Sequence, residues 1–159
     1  MSARSKARKR ALDVLFEADQ RDHDPLTTLG EWVDRADPPV PAYAEDLVRG
    51  VAAHAPRIDE VLAGYTADWS LERLPSVDRA ILRLATYELL WSAHVPAPVA
   101  IDEAVELAKS LSTDASPGFV NGVLARVLAD RASLAGPETP ISSSIRARLA
   151  VTPSTICCA

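Results

Sequence analysis

Residues 74–91 read LPSVDRAILRLATYELLW, and the fold can be predicted from this stretch. Pro75 and Ser76 mark the start of a helix, and apolar side chains then occur on nearly every side of it. A helix without a wide polar face is surrounded by other helices, so the stretch predicts the central helix of an all-α fold. Its charged side chains are expected to reach solvent near the helix ends or along a narrow seam: Asp78, Arg79, Arg83 and Glu88.

Prolines divide the rest of the chain into short periodic segments, and strand-like alternation is largely missing. We predict seven helices, covering about residues 5–20, 27–36, 42–54, 56–65, 76–93, 98–111 and 116–133. Two of these helices carry one-sided apolar stripes that should pack against the central helix. The stripes consist of Ile101, Ala104, Val105, Ala108 and Leu111, with Leu107 at the edge, and of Val120, Val123, Leu124, Val127 and Leu128.

The length of 159 residues favours one main domain, which we place at residues 1–135. Residues 136–159 are rich in proline and serine and lack a sustained hydrophobic period, so we expect a disordered tail there. The two cysteines, Cys157 and Cys158, are adjacent and cannot easily reach disulfide geometry. With no secretory signal and no apolar run of membrane-spanning length, these features indicate a reduced, cytoplasmic protein.

No enzyme motif is present: the sequence lacks a P-loop, a dinucleotide-binding fingerprint, an HExxH motif and a nucleophile elbow. The three histidines are scattered, and none lies at metal-ligand spacing from the cysteines. Asp102, Glu103 and Glu106 form an acidic cluster, which is more typical of a solvated helix face than of paired catalytic carboxylates. We therefore predict a protein without catalytic activity, cofactor or metal ion.

The first ten residues are strongly basic, although the whole chain has a net charge of −5. An apolar period begins within the basic cluster, so the charges should lie on or just before a helix. An anchored basic patch on an acidic protein is typical of a nucleic-acid-binding surface. The alternative is an unstructured, solvated basic arm. The cluster consists of Arg4, Lys6, Arg8, Lys9 and Arg10.

Phe16 lies seven residues after Lys9 and therefore close to the same face of the first predicted helix. An aromatic ring beside a basic side chain can stack a base while the cation holds its phosphate. The alternative is that Phe16 belongs to the hydrophobic core, because it lies at one edge of the apolar arc of that helix. The sequence alone is compatible with both roles.

A second aromatic candidate lies in the segment SPGFVNGVL, residues 116–124. Ser116 predicts an N-cap, and Phe119 then falls about 100° away from the apolar stripe of the helix. Gly118 and Gly122 lie one turn apart and leave a smooth backbone patch. Such a patch permits the close approach either of a neighbouring helix or of a nucleotide whose base stacks on Phe119.

Three motifs, in this order and spacing, resemble the NusB family of bacterial transcription antitermination factors. They are the stretch Leu74–Leu90 followed by Val95-Pro96, the segment VAIDEAVELAK at residues 99–109, and FVNGVL at residues 119–124. The pattern RxxAxxxLF at residues 8–16 also resembles the basic first helix of that family. The resemblance covers roughly residues 4–130.

The resemblance implies an all-α, seven-helix fold of two small helical subdomains around the central helix, and it implies no catalysis. It also implies binding of single-stranded boxA RNA in leader and ribosomal RNA transcripts. The family acts with a small-subunit ribosomal protein that doubles as NusE, within an RNA polymerase antitermination complex. Some actinobacterial-type members are thought to form dimers, and the sequence does not decide between a monomer and a homodimer.

By the same resemblance, a set of basic, aromatic and small residues is expected to face RNA: Arg4, Lys6, Arg8, Lys9, Arg10, Phe16, Phe119, Asn121 and Gly122. Asp78 and its neighbour Arg79, at the start of the central helix, are expected to face the ribosomal-protein partner. Positions 5 and 115 are serine and alanine, where relatives can carry arginine and aspartate. These departures put individual RNA contacts at the two positions in doubt.

Two other functions are compatible with the same motifs. NusB-like domains also occur at the N-terminus of ribosomal RNA cytosine methyltransferases, which continue into a cofactor-binding α/β domain with a Gly-rich loop and catalytic cysteines. This chain has neither of those features, so it could represent such an enzyme only as a fragment. The second alternative is a protein-interaction module that has lost RNA binding.

Overall fold

The structure, a computed structural model, describes residues 2–66 and 68–134. The tail expected to be disordered, residues 136–159, and its two cysteines lie outside the described residues. The helices are α1 (Ala3–Gln20), α2 (Pro25–Arg35), α3 (Ala42–Tyr65), α4 (Ser76–Trp91), α5 (Ala97–Leu111), α6 (Ser116–Ala129) and α7 (Arg131–Leu134), with a short 3-10 helix at Leu71–Arg73. These two ranges contain no strand, and the all-α prediction is confirmed.

The central position predicted for α4 is confirmed. This helix contacts α1, α3, α5 and α6, and ten of its sixteen residues are buried. On one side α1, α2 and α3 pack on one another, and on the other side α5 packs on α6. Each medium-sized apolar side chain that is fully buried stabilises the fold by about 1.5–3 kcal/mol. The helix that is apolar on most sides therefore occupies the centre, between two small groups of helices.

The two apolar stripes face the interior, with one difference at the end of α5. Four of the five residues of the α6 stripe are buried and Leu128 is half-buried, while Leu107 and Ala108 are buried in α5. Leu111, however, is 39% exposed because it is the last residue of its helix and lies beyond the buried part of the stripe. The stripes thus fix the faces that α5 and α6 turn toward α4, as the sequence predicts.

Residues 42–65 form one helix, so the prediction of two helices on either side of Pro56 is wrong. Proline in a helix interior costs about 3 kcal/mol, because it removes a backbone donor and clashes with the preceding turn. The helix continues because its apolar stripe is unbroken across the proline: Leu47, Val51, Ile58 and Leu62 are all buried. Burial of the second half of that stripe outweighs the cost of the proline.

The helix predicted for residues 116–133 ends at Ala129, and the short α7 follows as a separate turn. The residue at the break is Asp130, and a negative charge is unfavourable at the C-terminal end of a helix dipole. Its carboxylate accepts a hydrogen bond from the hydroxyl of Tyr65 at 2.5 Å. This contact connects the end of α6 to the end of α3.

The charged side chains of α4 do not all reach solvent, contrary to the expectation from sequence. Asp78 and Glu88 are 3% and 2% exposed, and each accepts a hydrogen bond from a side chain of a neighbouring helix. Arg79 and Arg83 lie along one edge of α4, where both form ion pairs with Asp19 of α1. The carboxylates are buried because their partners lie on helices that cover α4.

Gly50 of α3 marks a close contact between α3 and α4. A Cβ atom at this position would overlap the ring of Tyr87. That ring lies in a cluster with His54 and Trp91, so it has to disturb these contacts if it moves. The close approach of the two helices therefore requires glycine at position 50.

We expect Gly50→Ala to lower the melting temperature. The cost of overpacking, about 1–3 kcal/mol, should exceed the gain in helix propensity of about 1 kcal/mol. Gly64→Ala is the matched control, because it lies in the same helix and a Cβ atom there meets nothing within 4 Å. The control should raise the melting temperature. Equal stabilisation by both substitutions in thermal melts would show that the Tyr87 ring moves aside freely.

Candidate nucleic-acid interface

The N-terminal basic cluster lies on α1 and not on an unstructured arm. Ser2 caps the helix, because its hydroxyl accepts a hydrogen bond from a backbone N–H of the first turn at 3.0 Å. Arg4 and Lys6 are exposed, and Lys9 is half-buried with its ammonium 3.2 Å from the carboxylate of Asp13. Arg4 lies one turn before Arg8, and its guanidinium is 5.6 Å from the centroid of the Tyr43 ring. We call this N-terminal end of the helix, with its three accessible bases, the positive edge of α1.

Arg8 lies inside the protein, contrary to the expectation that its charge faces RNA. Its side chain is 2% exposed, and its Nε lies 3.0 Å from both carboxylate oxygens of Glu88 on α4. The hydroxyl of Tyr43 on α3 donates to the same carboxylate at 2.5 Å. Glu103 on α5 lies 3.8 Å from the Arg8 guanidinium. Four helices therefore meet at this buried group of charges, which we call the Arg8 network.

The pKa shifts in the Arg8 network follow from burial and pairing. Burial by itself would lower the pKa of the Arg8 guanidinium, but the hydrogen bond from Arg8 to Glu88 and the charge of Glu88 raise that pKa above its ordinary value. Burial and the hydrogen bond to Glu88 raise the pKa of the Tyr43 hydroxyl, which therefore remains a proton donor. Arg8 lies inside because an unpaired buried carboxylate at Glu88 would be far costlier than a paired one.

Arg10 is also engaged within the protein. Its guanidinium lies over the ring of Trp32, 4.2 Å from the centroid, and donates to the carbonyl of Pro38 at 3.2 Å. The side chain thus holds α2 and the following loop against α1, because a cation over an indole face is attracted to it. Of the five bases predicted to face RNA, the structure leaves three accessible: Arg4, Lys6 and Lys9.

Phe16 is 36% exposed, so the core position considered as its alternative is not observed. It lies on the same edge of α1 as Ser5 and Gln20. Ser5 donates to Glu103 of α5, and Gln20 donates to Ser76 at the start of α4, both at 2.8 Å. This edge of α1, with Phe16 on it, therefore connects the basic end of the helix with the start of α4.

Phe119 lines an open cleft of about 430 Å³ at the start of α4, which we call the Phe119 cleft. The Phe119 side chain is half-buried, and Trp69, in the connection before α4, is 58% exposed. The other residues that line the cleft are Arg73, Leu74, Pro75, Asp78, Thr113, Ala115 and Ser116. Sequence reasoning missed Trp69 and Arg73. The available signal was an aromatic and a basic residue in a connecting segment, where binding residues are often found.

The two glycines of α6 face open space. A Cβ atom at Gly118 or Gly122 would meet no other atom within 4 Å, so no helix of the described part of the chain packs tightly against them. Asn121 is exposed on the same helix. Tight helix packing, the alternative considered for these glycines, is therefore not observed. Instead α6 presents a smooth exposed surface beside Phe119.

The structure places Asp78 and Arg79 in contacts within the protein, whereas the resemblance implied that they face a protein partner. Oδ2 of Asp78 accepts a hydrogen bond from the Ser116 hydroxyl at 2.8 Å, so Ser116 binds α4 and does not cap α6. Arg79 pairs with Asp19 and donates to the Leu71 carbonyl at 3.0 Å. The reason is position: α1, α6 and the 3-10 helix enclose the first turn of α4, and its polar groups hold these elements together.

The model of the NusB family matches residues 5–129. The chain belongs to the NusB family. It is 60% identical over 127 residues to the transcription antitermination protein NusB of Kineococcus radiotolerans, a match that covers 80% of this chain and 93% of that protein. It is 56% identical over 140 residues to the protein of the same name from Acidothermus cellulolyticus, covering 88% of this chain and 97% of that protein.

Solved structures of NusB proteins have the same fold. The structure of T. maritima NusB superposes with a TM-score of 0.73 at 38% identity, covering 82% of this chain and 94% of that one. A chain from a crystal structure of antitermination factors NusB and NusE in complex with dsRNA gives a TM-score of 0.70 at 29% identity, covering 79% and 96%. The family and the fold implied by the sequence motifs are therefore confirmed.

Two further observations concern the described residues only. None of their helices combines the length and the apolar character needed to cross a membrane. Among the same residues, no group of three or more His, Cys, Asp or Glu side chains is arranged to hold a metal ion. Both relatives described above carry the name of transcription antitermination proteins.

The Arg8 network predicts that two neighbouring bases differ in their contribution to stability. Arg8→Met should lower the free energy of unfolding by about 3–5 kcal/mol, because Glu88 is left buried without its partner. Lys9→Met removes only a partly exposed pair with Asp13 and should cost about 1 kcal/mol or less. Chemical denaturation of both variants measures the difference. Equal losses would contradict a structural role for the Arg8 charge.

Proposed function

We propose that this chain is a transcription antitermination factor that binds single-stranded boxA RNA of ribosomal RNA operons together with the ribosomal protein NusE, within an RNA polymerase antitermination complex. The observation that carries the proposal is one arrangement of side chains. The positive edge of α1, exposed Phe16 and the Phe119 cleft provide cations for phosphates and aromatic rings for bases.

Membership of the NusB family supports RNA and NusE as the two partners of this chain. A structurally similar NusB chain was crystallised with NusE and dsRNA, which supports RNA and the ribosomal protein as partners of this chain. The boxA element, its single-stranded form and the polymerase complex enter the proposal through the resemblance of the sequence motifs. The surface that meets NusE is not assigned to Asp78 and Arg79, because the structure uses both internally.

The methyltransferase alternative has no specific observation in its favour. The matches to the two antitermination proteins cover 93% and 97% of their lengths. The other alternative, a protein-interaction module without RNA binding, predicts that an RNA titration shows no binding. Light scattering on the same sample separates a monomer from a homodimer.

The decisive experiment is a titration of labelled single-stranded boxA RNA with the purified chain, with and without NusE. We expect saturable binding that becomes tighter when NusE is present. A scrambled single strand and a duplex of the same length are the controls for sequence and for strandedness. Absence of RNA binding under both conditions would contradict the proposal and favour the protein-interaction module.

The positive edge of α1 should dominate the salt dependence of RNA binding. Replacing Arg4 and Lys6 together by alanine should weaken binding about 10-fold and flatten the log–log salt slope by about 1.4, since each phosphate contact on a single strand contributes about 0.7. The fold should persist, because both side chains are exposed. A double variant with Arg35→Ala and Arg49→Ala removes the same charge from α2 and α3 and should leave the slope nearly unchanged. An identical slope in both double variants would contradict the assignment.

The two phenylalanines should contribute to RNA affinity by stacking. Phe16→Ala and Phe119→Ala are each expected to lose about 1–3 kcal/mol of RNA binding. Phe16→Ala should hardly change the melting temperature, whereas Phe119→Ala should lower it moderately because its side chain is half-buried. Leu26→Ala on α2, where the leucine is 47% exposed, is the control for loss of an exposed apolar side chain. A stability loss of about 3–5 kcal/mol for Phe119→Ala would instead identify a core residue.

A further inference from the structure

The Arg8 network contains more negative than positive charge. It holds one guanidinium, that of Arg8, and two carboxylates, those of Glu88 and Glu103. Glu88 is buried and neutralises Arg8, whose Nε lies 3.0 Å from both of its carboxylate oxygens. Glu103 lies farther from the guanidinium, at 3.8 Å, and accepts a hydrogen bond of 2.8 Å from a neutral group, the Ser5 hydroxyl. The excess negative charge therefore resides on Glu103.

This excess charge lies among the accessible bases of α1. The Glu103 side chain is 26% exposed. Ser5, its partner on α1, stands between Arg4 and Lys6 in the sequence and one turn before Lys9. Side chains one turn apart on a helix are about 5–6 Å apart at their Cβ atoms. A phosphate held by these bases is therefore expected within about 10 Å of the carboxylate, which is one Debye length at about 0.1 M salt.

A second contact places one of the bases beside the Arg8 network. The Arg4 guanidinium lies 5.6 Å from the centroid of the Tyr43 ring, and Arg8 lies 5.7 Å from the same centroid. The Tyr43 hydroxyl donates to Glu88 within the network. A phosphate that reaches Arg4 therefore approaches a group of side chains with an excess of negative charge, and like charges repel each other.

We propose that Glu103 is an affinity-limiting residue of the RNA-binding surface, whose carboxylate repels RNA phosphates. This inference rests on the proposed RNA-binding function. Contacts between basic side chains and phosphates attract every RNA alike and supply essentially all of non-specific binding. A carboxylate held among those bases weakens this sequence-independent part of the binding. Discrimination between RNA molecules then depends more strongly on contacts to the bases of the RNA.

Two other roles for Glu103 predict the opposite result. If Glu103 accepts a hydrogen bond from an RNA base, or if it is needed to hold Arg8 in place, its neutralisation should weaken RNA binding. The distances disfavour a holding role, because Arg8 is already paired with Glu88 at 3.0 Å. A second carboxylate in a partly buried network adds a desolvation cost and no second cation. Neutralisation of Glu103 should therefore leave the fold intact.

The test compares the wild type with Glu103→Gln in anisotropy titrations of the full chain, using labelled single-stranded boxA RNA and its scrambled form. The glutamine amide has a similar shape, and its oxygen can still accept from Ser5, so the substitution removes the charge. Both strands should bind about fivefold more tightly at about 0.05 M salt. The gain should fall to about twofold at about 0.3 M salt, because salt screens the repulsion.

Glu60→Gln is the matched control, since it removes the same charge from an exposed acid of α3 that is paired with Arg57. Position 60 lies about 25 Å along α3 from Tyr43. RNA affinity in the control should stay within about 1.5-fold of the wild type, because the charge lies more than a Debye length away. An equal gain in affinity for Glu60→Gln would overturn the inference, since it would reflect the net charge of the chain alone.

Glu103→Ala separates the loss of repulsion from the gain of a new contact, because alanine offers no hydrogen-bond donor to a phosphate. It should tighten binding by about the same factor as Glu103→Gln, with a melting temperature close to that of the wild type. Unchanged or weaker RNA binding by either folded variant, or a gain that salt does not reduce, would overturn the inference alone. If neither the wild type nor the variants bind RNA, with and without NusE, the proposed function fails together with this inference.

Discussion

The ion pair between Arg8 and Glu88 is the contact on which the arrangement of the helices depends. It joins α1 to the central helix, and the hydroxyl of Tyr43 ties α3 to the same carboxylate. Two charges in an interior are tolerated only when their geometry and hydrogen bonds are nearly complete, and this requirement restricts how α1 can lie on α4. The rotation of α1 about its axis then determines which of its other side chains reach the surface.

The same rotation divides a cluster that looks uniform in sequence. Arg8 turns inward, Arg10 covers Trp32, and Arg4, Lys6 and Lys9 stay accessible. At the opposite end of this surface, the connection before α4 and the first turn of α6 supply the aromatic side chains. The bases of α1 and the aromatic side chains of the Phe119 cleft therefore come from different parts of the chain, and α4 packs against both α1 and α6.

The fold was predictable from sequence to the extent that it depends on local patterns. The apolar character of α4 and the stripes of α5 and α6 depend on residues within one helix, and these predictions are correct. The roles of Arg8 and Asp78 depend on partners 80 and 38 residues away, Glu88 and Ser116, which no local period reveals. Pro56 indicates a helix boundary in the sequence because its local cost is visible there, whereas the burial that outweighs this cost depends on the neighbouring helices.

The inward position of Arg8 also restricts the order in which substitutions can accumulate over generations. Exposed bases of α1 can be exchanged one at a time, because each change affects the surface alone. Loss of either Arg8 or Glu88 leaves a buried charge without a counter-charge, whereas replacement of both by apolar residues of similar volume removes the two charges together. Positions 8 and 88, which are 80 residues apart, should therefore covary among related sequences.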